Sequence, residues 1–99
     1  MIHVLAIITA KPGMRESVLS AYRANVAAVR AEPGCIEYAA TIDAAGSPAK
    51  VGDDTFLVVE KWESMDALKA HVASAHMQAY GAKTKEIVAR RIVHVLQPV

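Results

Sequence analysis

His71, His76 and Tyr80 are the residues through which this sequence could do acid–base chemistry. His76 and Tyr80 stand four apart on one predicted helix, so their side chains neighbour each other. His71 lies about one turn earlier, on the preceding short helix. An imidazole exchanges a proton near neutral pH, and a phenol donates a hydrogen bond. Trp62 closes the strand ahead of these helices and offers a flat apolar wall with one N–H. Tyr22 and Asn25 join them as candidates for substrate contact. Both fall on the apolar stripe of the first helix, where Asn25 either satisfies a backbone group or lines a cavity. Each residue also has an ordinary structural role: Trp62 as core, Glu60 as an ion-pair partner, and Cys35 as a small buried hydrophobe.

Other chemistries find no support. The chain holds no G-x-G-x-x-G, Walker loop, H-E-x-x-H or C-x-x-C, so flavin and nicotinamide sites have no sequence basis. His71 and His76 are five apart, which is not the i, i+4 pairing that shares a helix face, and no Asp or Cys stands near enough in sequence to complete a convincing ligand set. The expectation is a chain with no cofactor and no metal.

The elements that must position these groups follow from periodicity. Ile2–Ala10 is rich in β-branched residues and ends at Lys11-Pro12-Gly13, so it reads as a strand. Both its alternating rows are largely apolar, which requires cover on both faces. Met14–Ala31 reads as a helix with Met14, Val18, Tyr22, Asn25, Val26 and Val29 along one side, broken by Glu32-Pro33-Gly34. Cys35–Asp43 and Thr55–Glu63 read as strands around a loop of small and polar residues. Ser64 caps a short helix, Ser74 ends it and caps another from Ala75 to Ala89, and Arg91–Gln97 is a last strand. The order β-α-β-β-α-α-β predicts one α+β domain over residues 1–99. Its plan is the ferredoxin-like split βαβ, a four-stranded antiparallel sheet with helices on one face. The other face is apolar as well, which predicts a second subunit.

Bulk properties narrow the field. The 99 residues are 54% hydrophobic, with 11 basic and 10 acidic side chains and a net charge of +1. No basic patch is present beyond the pair Arg90-Arg91, so nucleic acid is not the expected partner. One cysteine forbids an internal disulfide and suits a reducing, cytoplasmic setting. The apolar start lacks a basic region before it, and no apolar run approaches the roughly 20 residues of a membrane span, so neither signal peptide nor membrane is expected.

The ordered set Glu32-Pro33-Gly34-Cys35, Glu60-Lys61-Trp62-Glu63-Ser64, Ala70-His71-Val72 and Ala75-His76-Met77-Gln78-Ala79-Tyr80 resembles the antibiotic biosynthesis monooxygenase family. The resemblance spans essentially the whole chain and is strongest toward the small bacterial quinol monooxygenases. It implies a ferredoxin-like fold that dimerises through its sheets into a β-barrel. It further implies oxygen chemistry without flavin, haem or metal, in which a quinol or anthrone loses a proton and its anion reduces O₂. His71, His76 and Tyr80 would then serve as base and orienting donor, and Trp62 as a cavity wall. Haem-degrading relatives carry an asparagine on the first strand, and Ala6 stands at that place here. The leading expectation is therefore a cofactor-independent monooxygenase or oxidase of a small aromatic quinol. The rival is a non-catalytic dimeric binder of small aromatic molecules.

Overall fold

The computed structural model describes residues 1–99. The elements are β1 (Ile2–Ala10), α1 (Arg15–Arg30), β2 (Cys35–Thr41), β3 (Thr55–Trp62), α2 (Met65–Ala73), α3 (Ala75–Thr84) and β4 (Val88–Leu96). The sheet runs β2-β3-β1-β4, with every neighbouring pair antiparallel. This is the α+β, ferredoxin-like plan that the element order predicts, with the helices on one face.

The pleat divides β1 and β3 into a buried and a half-buried face. Val4, Ala6, Ile8 and Ala10 of β1 and Phe56, Val58, Glu60 and Trp62 of β3 are buried beneath the helices. Leu5, Ile7, Leu57 and Val59 point the other way and stay half-buried. From α1, Val18, Leu19, Ala21, Tyr22 and Val29 enter the core, while Asn25 and Val26 sit at its margin. Side-chain oxygens of Ser64 and Ser74 accept from the amides of Ala67 and Met77, so each serine caps the helix it precedes.

The chain departs from the periodicity-based reading at the end of α3. The helix stops at Thr84 rather than Ala89, and β4 begins at Val88 rather than Arg91. Thr84 turns its hydroxyl back onto the Tyr80 carbonyl, and the Ile87 amide closes a turn on the Thr84 carbonyl. The Ile87 carbonyl then accepts from Lys11, and Val88 pairs with Ala10. Sheet pairing overrides the helical spacing of Ile87 and Val88, both β-branched. No helix is long and apolar enough to cross a membrane.

Gly34 fixes the turn between α1 and β2. Its φ is +84°, and a Cβ there would lie 2.7 Å from the Cβ of Ala67 on α2. The turn therefore docks against α2 as closely as a glycine allows, which brings Glu32 under His71. Gly34→Ala should cost about 1–3 kcal/mol through the left-handed backbone alone, with the contact adding to it. Thermal melting monitors this; a variant that melts with the parent would show that the turn is free to move away from α2.

Candidate active site

A cavity of about 500 Å³ lies between the sheet and the pair α2–α3. Its floor is Val4, Ala6, Ile8 and Val58, and its roof includes Leu68, Met77 and Tyr80. Its polar wall consists chiefly of Tyr38, Glu60, His71 and Arg91. The helices leave β4 uncovered, so the cavity opens along that edge past Arg91 and Val93.

His71 is the pivot of the site. It is only 4% exposed, and its Nδ1 lies 2.8 Å from Glu32 Oε2. His76 Nε2 reaches the same oxygen, also at 2.8 Å. A carboxylate oxygen only accepts, so both ring nitrogens facing it carry hydrogen. Ser74 Oγ donates to the His71 carbonyl and lies 3.2 Å from His76 Nε2, which it can therefore accept from. With its hydrogen on Nδ1, His71 keeps a lone pair on Nε2. That atom has no hydrogen-bond partner in the chain, and no buried side-chain nitrogen or oxygen lacks one, so Nε2 is open to the cavity that His71 lines. The arrangement is a carboxylate–imidazole pair with its basic nitrogen facing an apolar chamber.

The rings around it fix its plane. Trp62 lies 4.6 Å from His71 between centroids, and Tyr38 meets His71 edge-on at 5.6 Å. Tyr38 itself stacks on Tyr22 at 5.5 Å. The hydroxyls of Tyr38 and Tyr80 have no partner within the chain, and both residues line the cavity. Burial pushes the Tyr38 phenol far above its usual range, and the nearby Glu60 adds to this. Burial raises Tyr80 too, with Arg91 opposing it from 6.0 Å over the ring. Both phenols therefore keep their hydrogens and act as donors.

Glu60 makes no ion pair, contrary to the salt-bridge role that its strand position suggests; it accepts from Trp62 Nε1 at 2.9 Å instead. Burial raises its carboxyl above the ordinary value of 4.5, with the Trp62 N–H and then His71 holding it down in part. A raised folded-state value means that stability falls as pH climbs through the ordinary carboxylate range, because the unfolded chain ionises first. Glu60→Gln should consequently raise the melting temperature at pH 7, with the gain vanishing near pH 4. An equal loss at both values would show that the ionised carboxylate is a favourable partner in the fold.

The structure gathers the sequence candidates unequally. His71 and Tyr80 line the cavity, and His76 lies behind His71 on Glu32. Trp62 is fully buried and backs His71 and Glu60 instead of forming the wall. Tyr22 bridges the Tyr38 carbonyl and the Ala40 amide, and Asn25 donates to the Met77 sulfur. Both stand one layer behind lining residues. Glu32, Tyr38 and Arg91 also belong to the site, although the spacing of the sequence gives no reason to place them there. The motif Glu32-Pro33-Gly34-Cys35 was the available signal for the first of them.

Comparison with known proteins agrees with the fold. The family model for antibiotic biosynthesis monooxygenase matches residues 1–83. The chain is 34% identical over 102 residues to the "Probable quinol monooxygenase YgiN" of Escherichia coli (strain K12), covering 99% of this chain and 98% of that protein. Among solved structures, PA3566 from Pseudomonas aeruginosa superposes with a TM-score of 0.84 at 26% identity, covering 99% of this chain and 93% of that one. Rv0793 from Mycobacterium tuberculosis gives 0.83 at 28% identity, covering 99% and 94%. Matched over residues 1–83 by the family model and over nearly its whole length by the Escherichia coli relative, the chain belongs to the antibiotic biosynthesis monooxygenase family.

Proposed function

We propose that this protein is a cofactor-independent monooxygenase or oxidase of a small aromatic quinol. The open Nε2 of His71, held by Glu32 and aimed into a cavity with two phenol donors, carries the reading. About 500 Å³ is within the usual range for small-molecule sites and suits a bicyclic ring system. His71 Nε2 takes the proton of a quinol hydroxyl, and Glu32 stabilises the imidazolium through Nδ1–H. Tyr38, Tyr80 and the Arg91 guanidinium surround the resulting anion with donors and positive charge. Aliphatic walls keep the anion dry, which raises the energy of its charge and favours electron loss to O₂.

The electrons balance in either of two ways. A quinol and O₂ yield a quinone and hydrogen peroxide. Alternatively, one oxygen atom enters the ring and the products are a hydroxyquinone and water. In both the substrate supplies the electrons, and the protein supplies base, donors and enclosure. His76 acts through Glu32 as a positioning residue, as Trp62, Tyr22 and Asn25 do through His71, Tyr38 and Met77. Oxygen uptake by the chelator-treated protein, measured against a panel of quinols and anthrones with autoxidation controls, tests the reaction. Binding without any rate above autoxidation would favour the aromatic binder instead.

The outer sheet face supports a homodimer. Ile92 is 38% and Leu96 45% exposed there, beside half-buried Leu5, Ile7, Leu57 and Val59. An apolar face of this extent is covered in stable soluble proteins. Light scattering at micromolar concentration should give twice the chain mass of 10.6 kDa. A stable species of single-chain mass would overturn the dimer.

A further inference from the structure

The spacing of His71 and His76 argues against a metal, yet the break at Ser74 folds them onto one carboxylate. The donor atoms of Glu32, His71 and His76 all lie within 4.8 Å of one another. Both ring nitrogens point at Glu32 Oε2 from 2.8 Å. Three ligands on one tetrahedral zinc at 2.0–2.1 Å stand roughly 3.3 Å apart, so the present spacings bracket what an ion requires. The side chains are shielded, at 11% exposure for Glu32 and 5% for His71, while His76 at 30% leaves an entry from solvent. Two imidazoles and one carboxylate form a donor set for zinc and its neighbours in the first transition row, not for magnesium or calcium.

We propose that Glu32, His71 and His76 form a binding site for a divalent late transition-metal ion, with zinc the best match. Such an ion would use the lone pair of His71 Nδ1, which obliges the neutral ring to carry its hydrogen on Nε2. Metal binding thereby converts the open acceptor of the cavity into a donor. The ion would be an inhibitor, and this consequence, unlike the site itself, rests on the proposed role of His71.

Cobalt(II) titration of the chelator-treated full-length protein is the test. One equivalent per chain should produce the visible absorption of a low-coordinate cobalt site, and zinc should abolish it. His76→Ala and Glu32→Gln, each checked for folding by circular dichroism, should lower zinc affinity at least ~10-fold. Absence of the visible bands, or bands and zinc affinity unchanged in both variants, would overturn the site. Quinol turnover read in parallel separates the two proposals. A chain that takes cobalt but lacks turnover keeps the site and loses the reaction, and the reverse pattern loses the site alone.

Discussion

Replacing His71 with alanine is expected to lower quinol oxidation by about 10²–10⁴-fold, the usual contribution of a general base. The substitution removes the open Nε2 and leaves the apolar floor and both phenols in place. Binding of a quinone product should therefore survive while turnover falls. Steady-state oxidation of menadiol, corrected for autoxidation, gives the rate, and product titration gives the affinity. A folded His71→Ala protein with the parental rate would remove His71 from the chemistry and leave Glu60 as the next base on the cavity wall.

Glu32→Gln should have an effect of the same kind although Glu32 does not line the cavity. The carboxylate is what keeps hydrogen on Nδ1 and leaves Nε2 free. An amide can instead donate to Nδ1, which places the ring hydrogen on Nε2, where the proton of the substrate must go. Loss of the carboxylate behind a catalytic histidine lowers kcat by up to ~10⁴ in a serine protease. A drop of about 10²-fold or more is expected here, in kcat with KM nearly unchanged. A variant that loses affinity and keeps kcat would show Glu32 shaping the cavity and not the base.

The fold was largely legible because its signals are local. The β-branched run Ile2–Ala10, the alternation Phe56-Val58-Glu60-Trp62 and the stripe Val18-Tyr22-Val29 each declare an element and its buried side. The site was legible only in part because its key contacts are distant in sequence. Glu32 looks like the polar end of a helix until the turn at Gly34 docks on α2, and its partners lie 39 and 44 residues away. Tyr38 was hidden by a different effect. Strict alternation from Cys35 would put Glu37 inside and Tyr38 outside, but the register shift between Cys35 and Glu37 reverses this. Arg91 was hidden by the end of α3, since a helix running to Ala89 gives no reason to place β4 against the cavity.

On the proposed mechanism this chain, with nothing bound except substrate and oxygen, takes a proton from a quinol through His71. Rapid mixing of chelator-treated protein with menadiol and dissolved oxygen, following quinone absorption in the first turnover, measures it most directly. Product formation well above the autoxidation rate is expected in the parent chain, and none above it in His71→Ala. A parent chain that forms product no faster than free solution, or a His71→Ala chain that matches the parent, would contradict it.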